Sequence, residues 1–212
     1  SRSLDKVDRP THFAVIFDTA RKNFRNDIYK EYKANRQDTP EDLIPQFSYI
    51  RKAVEAFNIL GVELANYEAD DLIATYKEQA SKRNIKVTII SYDKDLMQLV
   101  RDQDLYWDFG KAYPKSQKQL EQTLEIGCSQ MVDYLALVGD KSDNIAGVPG
   151  VGEKTAKQLL SHFPDTEAIL EHLDQLQDLP IRGAKKLADK LLASQTQISR
   201  SRQLATIVTD ID

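Results

Sequence analysis

Residues 86–96 read KVTIISYDKDL. Lys86 to Tyr92 is a β-branched, apolar run of strand length, and two carboxylates, Asp93 and Asp95, follow it directly. A short helix is predicted next, over Lys94 to Val100. The same order appears twice upstream. His12 to Asp18 (HFAVIFD) reads as a buried strand ending on Asp18. Val62 to Ala65 reads as a second strand, and Glu68, Asp70 and Asp71 open the helix predicted from Glu68 to about Ser81. Between these, Thr39-Pro40-Glu41-Asp42 has the cap, proline and first-turn acids of a helix start, with the helix predicted to run to about Leu60 and stop at Gly61. Leu105 to Phe109 is a further strand candidate. Strands alternating with helices predict an α/β fold with a mostly parallel central sheet flanked by helices.

From about Cys128 the strand signals vanish and short helices separated by Gly- and Pro-containing turns take over. The expected organisation is an α/β core over 1–127, with a basic segment at about 21–38, and a helical subdomain over 128–212. Within the latter, Gly152-Glu-Lys154-Thr-Ala156 and Gly183-Ala-Lys185 both precede paired leucines, a weak internal echo.

Three acidic knots at the carboxyl ends of predicted parallel strands lie where open α/β sheets place their ligands. One such knot is equally well explained as first-turn acids complementing a helix dipole. Three at one edge would gather six carboxylates, which repel unless cations neutralise them. Asp140 and Asp143, in GDKSDN, add a fourth knot, for which a loop or helix cap is the plain alternative. Every donor is an oxygen, which suits two Mg²⁺ or Mn²⁺ ions rather than zinc. Two such ions can activate water and stabilise the leaving oxygen of a phosphodiester.

Residues 146–156 (AGVPGVGEKTA) place three glycines in six residues ahead of Lys154-Thr155, which opens a helix. Backbone amides there can approach a phosphate, and Gly150 and Gly152 are expected to need angles or contacts that a Cβ forbids. The spacing is not that of a nucleotide-binding P-loop. The favoured reading is a helix–hairpin–helix element holding a DNA backbone without reading bases; the plain one is a tight turn. In residues 21–36, Arg21, Lys22, Arg25, Lys30, Lys33 and Arg36 stand against only Asp27 and Glu31, interleaved with Phe24, Tyr29 and Tyr32. Cations and rings together suit a single strand; a solvated basic face with its rings in the core is the simpler alternative.

The net charge of −4 speaks against a nucleic-acid partner only as an average, because basic and acidic residues are segregated. With 212 residues, 41% hydrophobic, the chain can form one sizeable core or a core with a small satellite. A single cysteine, Cys128, excludes a disulfide framework and a cysteine zinc site, and fits a reducing compartment. No apolar run is long enough to span a bilayer.

Six ordered motifs, AVIFD, FRNDIYKEYKANR, YEADDLIA, SYDKDLMQLV, LVGDKSDNIAGVPGVGEKTA and IRGAKKLADKL, resemble the 5′-nuclease family of bacterial polymerase-linked 5′–3′ exonucleases and flap endonucleases, from about Pro10 to about Leu204. The resemblance implies a PIN-like core with a helix–hairpin–helix subdomain. It implies a cage of Asp18, Glu68, Asp70, Asp71, Asp93, Asp95, Asp140 and Asp143, and arch cations Arg25, Lys33 and Arg36, with Lys33 stabilising the scissile phosphate. It implies duplex DNA held by Gly147, Val148, Gly150, Gly152, Lys154 and Thr155, with a potassium ion on hairpin carbonyls. Expected substrates are 5′ flaps, 5′ overhangs and nicked duplex, in the bacterial cytoplasm at the nucleoid, with a polymerase portion beyond Asp212. The family opens on a strand ending in Asp-Gly; here residues 1–10 look like the tail of a later helix, so that strand and its ligand are expected to be absent. The alternatives are a DNA-binding fragment with impaired catalysis and a PIN-like ribonuclease.

Overall fold

The computed structural model describes residues 10–19, 22–181 and 183–211. The expectation for the N-terminal stretch falls on residues 1–9, and with Arg21 it lies outside the described residues. Five short strands and nine helices are described: β1 Ala14–Ile16, α1 Arg25–Ile28, α2 Gln46–Ala56, β2 Leu60–Val62, α3 Ala69–Lys82, β3 Thr88–Ile90, β4 Leu105–Trp107, β5 Lys115–Ser116, α4 Gln117–Leu124, α5 Met131–Val138, α6 Glu153–His162, α7 Thr166–Glu171, α8 Ala184–Ala193 and α9 Gln195–Ala205. Short 3₁₀ turns at Lys94–Leu99, Cys128–Gln130 and Leu173–Asp178 complete the order.

The parallel pairing expected from the sequence is present, but among the described residues it is divided between two small sheets. β1 pairs with β2 in parallel, Val15 opposite Gly61. β3 pairs with β4 in parallel, Ile89 opposite Tyr106, and β5 adds an antiparallel edge to β4. The strands are shorter than their apolar runs. The expected strand at Val62–Ala65 starts earlier, at Leu60, because Leu60 and Gly61 are the residues that meet Ala14 and Val15.

Helix starts follow local chemistry. Asp71 reaches back to the Glu68 N–H (3.0 Å) and closes the first turn of α3. Gln119 does the same for Ser116 (2.9 Å) at α4, and Asp165 caps the Ala168 N–H (2.8 Å) at α7. The start expected at Thr39-Pro40 makes turns instead, and α2 begins only at Gln46. Pro45 has no N–H to continue such a helix and disfavours the helical backbone at Ile44, so the helix restarts beyond it. Gly152 and Gly183, the two echoing glycines, each precede a ten-residue helix, α6 and α8.

The core has three parts. One, in the C-terminal half, is built on Leu137, Leu159, Ile169, Leu176 and Leu191. A second packs α3, β3 and β4 through Ala74, Ile89, Leu99, Val100 and Tyr106, and includes Cys128 and Ile207. The third joins the basic segment to α5 and α9 through Tyr32, Met131, Leu135, Ile145 and Leu204. Residues 29–36 are thereby seated on the helical half, beside the loop that carries Asp140 and Asp143. No helix among the described residues is long and apolar enough to cross a membrane.

Candidate active site

The acidic knots meet in space. Glu68 and Asp70 from the start of α3, Asp95 from the turn after β3, and Asp143 from the loop after α5 line one small cavity with Arg25, Tyr32 and Ile145. The electrostatics widen the group. Asp70 is pushed up to about 7, first by burial and then by Asp93, Glu68 and Asp18, with Lys33 opposing. Asp95 is likewise pushed up to about 7, by burial and then by Asp93, Asp140 and Asp143, with Lys94 opposing. Burial would also raise Asp140, but hydrogen bonds from Ser142 and the nearby Lys94 overcome it, and its carboxyl is lowered. Seven of the eight acids expected at the site therefore share one field.

Several acids also do the local work that the plainer reading proposed. Asp18 Oδ1 accepts the Ala69 N–H (2.8 Å) at the start of α3. Asp93 Oδ1 accepts the Asp95 N–H (2.9 Å). Asp140 Oδ1 accepts the Ser142 N–H (2.7 Å) and hydroxyl (2.6 Å), which fixes the loop through Asp143. Turn capping and convergence on one site are compatible, since each cap leaves a second carboxylate oxygen.

Asp71 and Arg25 depart from expectation. Asp71 is fully buried, and Arg25 is 2% exposed. Arg25 donates from both terminal nitrogens to the two Asp71 oxygens (2.8 and 2.7 Å), which also accept the Glu68 and Val208 N–H groups (3.0 and 2.9 Å). Arg25 further donates to the carbonyls of Leu204 (3.0 Å) and Thr206 (2.9 Å). A ligand and an arch cation were expected; the structure makes them a buried pair tying α3 to the end of α9. Buried charge is stable only when its hydrogen bonds are met, as both sets are here.

Lys33 and Arg36 reach acids that line the cavity. Lys33 has a left-handed backbone (φ 56°), and its N–H bonds the Asp143 carbonyl (3.0 Å). Its ammonium contacts Glu68 and lies 3.6 Å from Asp143 Oδ2. Arg36 donates to Asp143 Oδ1 (2.6 Å) while its side chain stays half exposed. One participant, Lys94, was not singled out from the sequence, and a second, Tyr32, was read there only as a ring of the basic-aromatic segment. Lys94 stands 3.0 Å from Asp140 Oδ2, and its place inside the DKD motif was the available signal. Tyr32 is buried and reaches Glu68 (3.2 Å) and Asp143 (3.1 Å), so one ring of the basic-aromatic segment serves the core, as the simpler alternative held.

Among the described residues, no three carboxylates are gathered closely enough to hold an ion between them as they stand. The donor chemistry nevertheless fits a hard divalent cation. All donors are oxygens, two carboxyls are raised to about 7, and Asp95 Oδ1 is buried without a hydrogen-bond partner.

The glycine-rich segment follows directly on the loop that carries Asp140 and Asp143. Pro149 and Gly150 (φ 79°) occupy the centre of a tight turn closed by the Val151 N–H to the Val148 carbonyl (3.0 Å). Gly147 is packed so closely that a Cβ would meet the Val138 carbonyl carbon at 2.3 Å. Gly152 is different: its backbone is extended (φ −103°), and a Cβ there would meet nothing within 4 Å. The intrinsic constraint expected at Gly152 is absent. Lys154 is exposed and Thr155 half-buried in the first turn of α6, whose first N–H groups point out from the helix end.

Residues 2–126 match the family described as 5′-3′ exonuclease, N-terminal resolvase-like domain, and residues 126–212 match 5′-3′ exonuclease, C-terminal SAM fold. DNA polymerase I of Rhizobium leguminosarum is 41% identical over 211 residues, covering 100% of this chain and 20% of that protein. The 5′-3′ exonuclease of Buchnera aphidicola subsp. Schizaphis graminum is 36% identical, covering 98% of this chain and 72% of its own length. The chain thus spans 20–23% of the polymerase relatives it matches. The bacteriophage T5 flap endonuclease, solved as a pseudo-enzyme–product complex with DNA and metal ions, is 26% identical with a TM-score of 0.78, covering 96% of this chain and 77% of that one. Two matched halves that together span residues 2–212, and a standalone relative covered over most of its length, place this chain in the 5′-3′ exonuclease family.

Proposed function

We propose that this chain is a structure-specific 5′ nuclease that hydrolyses DNA phosphodiesters at 5′ flaps and 5′ ends with Mg²⁺ or Mn²⁺. The observation that carries the reading is the shared cavity of Glu68, Asp70, Asp95 and Asp143, whose acids Lys33 and Arg36 contact and whose loop runs directly into the hairpin. Asp18, Glu68, Asp70, Asp93, Asp95, Asp140 and Asp143 are the residues that would hold two ions. Bound there, divalent ions supply an activated water and charge stabilisation for the leaving oxygen. The chain's own residues do the rest. The outward N–H groups at the start of α6, with Lys154, hold a duplex phosphate without reading sequence. Lys33 and Arg36 meet the negative charge that builds on the phosphate oxygens as the P–O bond breaks. Tyr32 and Arg25 fix Glu68 and the base of α3. A potassium ion on hairpin carbonyls belongs to the same reading. The polymerase I relatives support a role in replication and repair.

The test is a labelled duplex bearing a 5′ flap, incubated with Mg²⁺, with Mn²⁺ or with chelator. Short 5′ products are expected only with divalent ion, and Asp95→Asn is expected to remove them. Salt-sensitive binding with no product under any ion would replace the nuclease by a DNA-binding module.

A further inference from the structure

The hairpin and the carboxylate loop are one piece of backbone. Asp140 and Ile145 exchange two hydrogen bonds (2.8 Å each), and the Val148 N–H returns to the Leu137 carbonyl (2.8 Å). Between these closures the chain runs through Gly139 (φ 78°) and Gly147 in direct backbone contact; a Cβ on Gly139 would meet the Gly147 nitrogen at 2.6 Å. On the Ile145–Val148 side, Ala146 and Gly147 lie between the closures, and both of their carbonyls are held from outside. Ser201 donates to the Ala146 carbonyl (2.8 Å) and Gln197 to the Gly147 carbonyl (2.8 Å). The two side chains are four residues apart and so share a face of α9. Ser201 is 1% exposed and Gln197 half-buried. On the other side of this short bridge, Asp143 and its loop bind the basic segment through Lys33 and through Asn144 Nδ2 to the Glu31 carbonyl (2.7 Å).

We propose that Gln197 and Ser201 are positioning residues that fix the register between bound duplex and the carboxylate cavity, and thereby choose which phosphodiester is cut. This rests on the nuclease reading above. The hairpin holds the duplex at one end of a stiff segment, and Asp140 and Asp143 stand at the other. The angle between the two ends is set by what braces the middle. Close contact between Gly139 and Gly147 prevents compression, and the two α9 donors prevent tilt. Without the donors, two carbonyls lose their partners and the bridge gains freedom to rock. A duplex held by the hairpin would then present neighbouring phosphates to the cavity.

The test compares wild type, Ser201→Ala, Gln197→Leu and the double variant on one 5′-flap duplex of defined sequence, under single turnover, with product lengths resolved to the nucleotide and Kd measured in parallel. The expected result is that the ratio of the dominant product to its neighbours falls roughly ten-fold in the double variant, the scale of losing one or two hydrogen bonds, while Kd changes little. Ser201→Thr, which keeps the hydroxyl, is expected to restore the ratio. A folded double variant that cuts at the wild-type position with the wild-type ratio overturns the proposal, as does a lower melting temperature with unaltered product lengths. If wild type gives no metal-dependent product, the nuclease reading has failed separately. The register is then read by hydroxyl-radical footprinting on the same duplex: a boundary shifted in the double variant supports the proposal, and an unmoved boundary overturns it.

Discussion

Lys33 contacts Glu68 and lies near Asp143 rather than reaching out to solvent, which fixes its charge beside the acids of the proposed nuclease site. A fixed cation aimed at developing charge lowers the barrier more than it strengthens ground-state binding. Lys33→Ala is therefore expected to lower the single-turnover rate by about 10²–10³ and to leave Kd nearly unchanged. A rise in Kd with the rate intact at saturating enzyme would reduce Lys33 to a general phosphate contact. Asp93 and Asp140 should behave alike for a different reason: each lies in the acidic field, and neither is one of the hairpin groups read as holding the duplex. Asp93→Ala or Asp140→Ala is expected to abolish cleavage while duplex binding persists; normal turnover in either would remove the metal assignment. Asp71 separates from this group. Arg25 is left charged and buried if its partner goes, so Asp71→Ala is expected to lower unfolding stability by about 3–5 kcal/mol, the scale of a broken buried pair. Urea unfolding measures it, and a loss below about 1 kcal/mol, the scale of an exposed ion pair, would contradict the burial argument.

At the scale of elements, the glycines of 146–156 divide into two kinds, and they predict opposite phenotypes. Gly147 is forced by the Val138 carbonyl at 2.3 Å, so Gly147→Ala must move backbone and is expected to lower the melting temperature. Gly152 faces open space, so Gly152→Val is expected to fold as wild type and to weaken duplex binding without sequence preference, because only an approaching phosphate meets the new side chain. Equal affinity of the two proteins in a salt-matched anisotropy titration would refute that role, and an unfolded Gly152→Val would refute the open space. This division was not legible in the sequence, where both are simply glycines before a helix. What was legible is whatever local chemistry decides alone: α3 from its capping acids, β3 from its β-branched run, the helical half from its loss of alternation. Single proline effects were harder, since Pro40 reads as a helix start and Pro45, five residues on, cancels it. The acidic knots were visible because each sits at a strand end. That Asp71 turns inward to Arg25 depends on carbonyls at Leu204 and Thr206, far along the chain, and no local pattern carries it. The short β5–α4 unit was also missed; Lys115 and Ser116 have no apolar run, and only pairing with Tyr106 and Leu105 makes them a strand.

For the molecule as a whole, the shared acidic field ties stability, pH and metal together. Asp70 and Asp95 titrate at about 7 in the folded chain, far above the ordinary carboxyl range. Between that range and about 7 the folded state therefore binds more protons than the unfolded state, so ν_U − ν_N is negative and stability falls as pH rises. This is the reverse of the usual salt-bridged carboxylate. Divalent ions bind the charged carboxylates and compete with those protons, so their affinity should rise over the same window, by up to ten-fold per pH unit for each proton released. Ligand bound only to the folded state stabilises by RT ln(1 + [L]/Kd), so the stabilisation by a fixed concentration of Mn²⁺ must grow from about pH 6 to about pH 8. The expected outcome of thermal unfolding is a melting temperature that declines with pH in chelator and declines less, or rises, with Mn²⁺. In Asp70→Asn and Asp95→Asn the decline in chelator should flatten, because the neutral amide carries neither the burial penalty of a charge nor the repulsion from Asp93. The Mn²⁺ gain should shrink in the same variants, because an oxygen donor with charge has been lost. An equal Mn²⁺ gain at both pH values would mean that these two carboxyls do not hold the ion. A chelator profile that rises with pH would mean that their charged forms are already neutralised in the fold by Lys33 and Lys94.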